Sequence, residues 1–489
     1  MKQFQLVSIT IITAFFFFSC SVSFGQAAGN TRPFVIRGQL TNFQGKQLLL
    51  VFKDEGRFVV DTLPLDTEGR FYLKTYKVKS PRNWVELNGG HNFLTALYIA
   101  PGYDLLLTAD GIDRASFQKS KKISGIGSII NNYEFALEKN NRDWLAMSDQ
   151  DLMGFVGEDK RYSDSLYHFY FNKKNPDDPY FEYFKQMARF DNVFRRLNYL
   201  ICRADDSASW SYDKAEAFVR KNFSNDTLLH HLSREEYLVS GDYASLMVNE
   251  YPAYLRKMDC RKGLIDCGDN KIFWVQAVGK VGTVYTGKIR QIALYQIMLN
   301  SLRNCRSFEE LHNYGTGFPA FISALENKDQ QAELQRLLDS KGTELAKTQI
   351  GLPAPLFDAK DSSGKICHIA DYNGKVIYID LWASWCAPCR GETPYLKSVY
   401  EKYKGDDRIA FISVAVQDSP DNWKKAMLED KPTWTQLLDT DGQVQSSYVA
   451  NSIPKFILVD KQFKIVSFDA PPPSDTTNLE KLLNKELSK

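Results

Sequence analysis

Trp385-Cys386-Ala387-Pro388-Cys389 follows the run Val376-Ile377-Tyr378-Ile379-Asp380-Leu381-Trp382 and precedes a stretch from Arg390 in which Tyr395, Leu396, Val399, Tyr400 and Tyr403 recur at helical spacing. The run before it is short, β-branched and aromatic, the pattern of a strand buried on both faces. Two cysteines three positions apart therefore fall where a strand turns into a helix, which is a redox address. At the first turn of a helix, unpaired N–H groups and the positive end of the dipole favour a thiolate. The pKa of such a cysteine can fall from ~8.5 toward ~7 or below. Cys386 is expected to be the attacking sulfur, and Cys389, one turn on and facing inward, the resolving thiol that breaks a mixed disulfide.

Half of a zinc site is the other reading of Cys-x-x-Cys. A structural zinc wants four ligands, and there is no second cysteine pair to supply them; the only nearby histidine, His368, lies on the far side of the strand. No metal and no cofactor are expected. Downstream, Ile453-Pro454 precedes Lys455-Phe456-Ile457-Leu458-Val459-Asp460, a buried strand with a proline at its entrance.

Residues 351–489 resemble the thioredoxin-fold domain of the TlpA/ResA-like thiol-disulfide oxidoreductases. The resemblance rests on Gly374-Lys375, Trp385 to Cys389, Glu392 and Pro394 in the following helix, and Ile453-Pro454. It implies a central sheet wrapped by helices and a cis peptide bond before Pro454. It also implies that this turn stands beside Cys386, where the backbone of Ile453 pairs with an extended substrate and Trp385 helps form the binding surface. Two carboxyl groups compete for the proton of Cys389. Asp380 resembles the buried aspartate of true thioredoxins, and Glu392, three residues after Cys389 on the same helix face, resembles the acid of the ResA-like branch. Either one, desolvated, would be raised toward a pKa suited to proton transfer near neutrality. A peroxidase would instead need a Thr three residues before the reactive cysteine, where this chain has Ala383.

The chain has 489 residues, enough for about three domains at roughly 150 residues each. A net charge of +2 offers no basic stripe, so nucleic acid is not an expected partner. With 25 Tyr and 32 Phe the composition is that of a packed chain. Met1-Lys2 followed by the apolar residues 6–18 reads as a secretion signal over residues 1–25, too short to span a bilayer comfortably. Cleavage near Gly25 and lipidation at Cys20 are both open, the first favoured. The expected location is the periplasm or cell envelope.

Residues 30–118 read as an antiparallel β-sandwich. Strand-like runs are broken by turns at Asp66 to Arg70 and Pro101-Gly102, and the region resembles a β domain of unknown function that precedes thioredoxin domains in exported Bacteroidota proteins. Residues 119–347 read as a helical domain with an aromatic stripe of Phe181, Phe184, Met187, Phe190 and Phe194, which is mostly core. Gly125-Ile126-Gly127 is too little for a phosphate loop and His230-His231 lacks zinc spacing. Cys260 and Cys267 could close a disulfide; Cys202, Cys305 and Cys367 read as core thiols.

Residues 348–489 form the expected thioredoxin-like α/β domain, with a segment between Cys389 and Pro454 long enough for an extra β-α element. The whole reads as a reductase of disulfides in exported proteins, recharged by a membrane-linked or periplasmic thiol donor, with the front half available for self-association. A redox-regulated binding module is the non-enzymatic alternative.

Overall fold

Apolar–polar alternation sets the first strands. β1 (Phe34–Thr41) turns Phe34, Ile36, Gly38 and Leu40 inward. It is followed by β2 (Gln47–Asp54), β3 (Arg57–Pro64), β4 (Arg70–Thr75), β5 (Arg82–Asn88), β6 (Leu94–Ile99), β7 (Asp104–Asp110) and β8 (Lys122–Ile126). They form two four-stranded sheets, β4-β1-β7-β8 and β3-β2-β5-β6. Every pair in them is antiparallel as expected except β1–β7, which is parallel. That pair depends on Gly38, where a Cβ would collide with the Leu107 carbonyl oxygen, so the absent side chain lets the two backbones meet.

The computed structural model describes residues 32–54, 57–90, 93–206, 213–214, 216–217, 231–265, 272–450 and 452–489. The expected signal segment, Cys20, His230 and Cys267 lie outside them. The described residues fall into two compact units, one within Met1–Cys267 and Gly279–Ala293, the other within Gly268–Val278 and Leu294–Lys489.

In the first unit Phe34, Leu48, Leu87 and Leu105 of the sheets share one core with Phe171, Phe181, Phe184 and Met187 of the helices Asp149–Phe171 and Phe181–Asp206. The aromatic stripe is core, with Phe190 only partly covered. Gly125 and Ile126 end β8, and Gly127 caps the helix Ser128–Leu137 with φ 93°. Cys260 is disulfide-bonded, while the proposed pairing with Cys267 reaches beyond the described residues. Among the described residues no helix is long and apolar enough to cross a membrane.

The second unit carries β9 (Asp358–Lys360), β10 (Ile366–His368), β11 (Val376–Trp382), β12 (Ile409–Ala415), β13 (Thr435–Leu438), β14 (Lys455–Val459) and β15 (Ile465–Ser467). They make one sheet in the order β10-β9-β13-β12-β11-β14-β15. β11 runs parallel to β12 and antiparallel to β14 and is buried on both faces, as its composition requires. Its two-residue period sends Val376 and Tyr378 to the face covered by Leu396 and Val399 of the helix Ala387–Tyr403 and by Leu479, Leu483 and Leu487 of the helix Thr476–Leu487. Among the three cysteines read as core thiols, Cys305 is buried but Cys202 and Cys367 are only partly covered. Cys367 lies in β10, an edge strand of three residues with too little sheet beside it to enclose a side chain.

Leu479 is fully buried in the layer that backs β11 and the helix carrying the cysteines. Leu479→Ala is expected to cost the second unit about 2–5 kcal/mol of stability, read as a lower urea midpoint in circular dichroism.

Candidate active site

Cys386 is itself the N-cap of the helix Ala387–Tyr403, so the helix begins three residues before the expected Arg390. Proline at the second helical position explains the early start, since Pro388 lacks the N–H that the first turn leaves unused. The cap is made by sulfur: the Cys389 N–H donates to Cys386 Sγ at 3.2 Å. The structure shows the oxidised pair, with Cys386 and Cys389 joined as a disulfide and their Cα atoms 5.3 Å apart. Both cysteines are 4% exposed. They pack with Trp382, Ala383, Ala415, Trp423, Ala426 and Leu438, and Ile453 lies against this cluster.

The loop ahead of the sulfurs is pinned. Ser384 donates to Asp418 through its backbone N–H and, at 2.8 Å, through Oγ, and Trp385 donates from Nε1 to the Gln417 carbonyl at 3.0 Å while the residue remains 60% exposed. On the other side, Arg390 pairs with Asp430 and Glu429 at the end of the helix Pro420–Asp430. The Ile453-Pro454 bond is cis, as the resemblance implies. Among the described residues Ile453 has no backbone hydrogen-bond partner, so its main chain is unused by the sheet that starts at Lys455.

The two carboxyl groups occupy unlike surroundings. Asp380 shares the face of β11 with Tyr378 and with Trp382, which belongs to the cluster around the cysteines. Its neighbour across the sheet, Ser413, donates to Asp380 Oδ2 at 2.8 Å, and Trp434 Nε1 donates to Ser413 Oγ at 2.8 Å. Burial pushes the Asp380 carboxyl from 3.8 up to about 7; the Ser413 hydrogen bond opposes that rise and the Glu392 charge adds to it. Glu392 is bound from outside the helix: Ser474 donates to it twice at 2.8 Å, from its backbone N–H to Oε2 and from its hydroxyl to Oε1. Ser413, Trp434 and Ser474 give no sequence signal of their own. Only the registers that carry them to β11 and to its covering helix reveal them.

An AhpC/TSA family model matches residues 350–468. Thiol-disulfide oxidoreductase ResA of Bacillus thuringiensis subsp. konkukian (strain 97-27) is 28% identical over 124 residues, which are 25% of this chain and 71% of that protein. ResA of Bacillus subtilis (strain 168) is 30% identical over 116 residues, 24% of this chain and 64% of that protein. The C-terminal region is a thioredoxin-like thiol-disulfide oxidoreductase domain. The thioredoxin domain of a thiol-disulfide oxidoreductase from Bacteroides vulgatus is 34% identical and covers 28% of this chain and 96% of that one, with a TM-score of 0.26.

In this oxidoreductase domain the raised Asp380 pKa sets a sign for stability. Between 3.8 and about 7 the unfolded chain has lost the Asp380 proton while the native state holds it. The native state then binds more protons, so stability falls as pH rises through that window and levels off above it. Asp380→Asn should remove this component, worth up to about 4 kcal/mol, measured as the difference between wild-type and variant unfolding free energies at pH 4 and pH 8.

Proposed function

We propose that this protein is an exported disulfide reductase that acts on cell-envelope proteins by dithiol-disulfide exchange at Cys386 and Cys389. The observation that carries the reading is the sulfur at a helix N-terminus: Cys386 Sγ accepts the Cys389 N–H, and Ile453, whose backbone has no partner among the described residues, packs against the cluster that holds the pair. An N–H aimed at sulfur stabilises the thiolate that attack requires.

In the reduced enzyme the Cys386 thiolate attacks one sulfur of a substrate disulfide. A mixed disulfide forms, the substrate S–S bond breaks, and the departing thiolate takes up a proton. Cys389 then loses its proton to a carboxylate and attacks Cys386 Sγ, which expels the second substrate sulfur as a thiolate that takes up the proton held by the carboxyl group. The substrate gains two electrons and two protons, and the enzyme reaches the oxidised pair seen here. A dithiol donor at or near the membrane resets it. We assign the proton-accepting role to Asp380, whose pKa of about 7 leaves it partly ionised near neutrality, and a bracing role to Glu392, whose two oxygens are held by Ser474. Ile453 offers its main chain to an extended substrate beside the exposed Trp385.

Cys389→Ser should accumulate Cys386-linked mixed disulfides with envelope proteins, visible by mass spectrometry. Turnover by the wild type with no such adducts in the variant would reject the roles given to the two sulfurs. Asp380→Asn is expected to slow the resolving step about a hundredfold and to remove the rate increase that accompanies ionisation near pH 7, as read in single-turnover kinetics. Ala383, buried where a peroxidase needs a hydroxyl, leads to an expected peroxide consumption no faster than that of free dithiol.

A further inference from the structure

Arg306 stands just before Ser307, the N-cap of the helix Phe308–Gly317. Ser307 Oγ accepts the Glu310 N–H at 3.2 Å, and Glu310 reaches back, its Oε2 accepting the Arg306 N–H at 3.0 Å. These reciprocal bonds, a variant of the capping box, fix the backbone at residue 306. From that fixed point Arg306 Nη2 donates to the Pro454 carbonyl oxygen at 2.6 Å. The next residue returns the contact, Lys455 Nζ donating to the Arg306 carbonyl oxygen at 3.1 Å.

Lys455 is 2% exposed, and its Nζ lies 4.4 Å from the centroid of the Phe468 ring. Burial lowers its pKa to about 8, with Asp469 opposing and the Arg306 charge adding to the decrease. An ammonium that deep is tolerated only with an acceptor, and a guanidinium-to-carbonyl bond is charge-assisted. The exchange chemistry uses neither cation. What the two bonds grip is the chain immediately after Ile453, the residue that packs against the cluster containing Cys386 and Cys389 and whose main chain has no partner among the described residues.

We propose that Arg306 is a positioning residue of the dithiol site: by holding the Pro454 carbonyl it fixes the direction in which Ile453 presents its backbone to the peptide around a substrate disulfide. The inference rests on the reductase reading and adds that docking of a polypeptide depends on a residue contributed from well ahead of the matched family region, which begins at residue 350. Electron exchange between sulfurs does not need this bond. A small disulfide without a peptide backbone therefore escapes the requirement.

The test compares full-length wild type, Arg306→Ala and Arg306→Lys on insulin and on 5,5′-dithiobis(2-nitrobenzoate), with thermal unfolding as the check on folding. Arg306→Ala should raise KM for insulin about tenfold, the loss of one hydrogen bond from a charged donor, and leave kcat/KM for the aromatic disulfide within about twofold. Arg306→Lys keeps the charge without the planar fork and should fall between the two. If the alanine variant does not fold, the lysine variant carries the same comparison with an expected rise of about threefold. An unchanged insulin KM, or equal losses on both substrates, overturns the role of Arg306 alone. A wild type that reduces neither disulfide overturns the reductase reading and this inference with it.

Discussion

A helix that starts on a sulfur atom is the constraint around which the C-terminal unit is built. The Cys389 N–H has no earlier carbonyl to bond, as in the first turn of any helix, and here it is satisfied by Cys386 Sγ. That single contact requires the strand β11 to end close by, the helix Ala387–Tyr403 to start without delay, and the loop between them to be held still. Pro388 supplies the start, and the Ser384–Asp418 and Arg390–Asp430 contacts supply the restraint. The burial of both sulfurs among Trp382, Trp423 and Leu438 then excludes water from the place where charge has to form.

Most of this was legible in the residues. A β-branched run, two cysteines three apart and a helical stripe of aromatic residues determine the strand, the turn and the helix, because those signals are local. Ile453-Pro454 was legible as the entrance to a strand, and its place beside the cysteines came from a resemblance and not from spacing. What could not be read was the pairing of strands. The Ser413–Asp380 bond depends on the register of β12 against β11, and the parallel pairing of β1 with β7 depends on one glycine that looks like any other in the sequence. The helix starts three residues before Arg390, where its periodic stretch begins, because periodicity shows only after the cap.

The competition between Asp380 and Glu392 shows the same limit from another side. Both carboxyl groups are acidic residues near Cys389 in sequence, so residue type and spacing do not separate them. Their surroundings do: one sits inside the sheet with a serine and an indole as its polar company, the other is tied by two bonds to a loop 82 residues further on. Burial changes what a carboxyl group can do at neutral pH far more than its place in the chain does.

The indole of Trp434 is an instrument already built into the molecule. Its ring N–H ends a two-bond relay that begins at the Asp380 carboxyl group, and the ring itself is nearly sealed from water. When that carboxyl group gains or loses its proton, the charge at the far end of the relay changes and the polarity felt by the fluorophore changes with it. The protein thus carries its own optical gauge of the acid in β11, readable without labels as a shift in tryptophan emission.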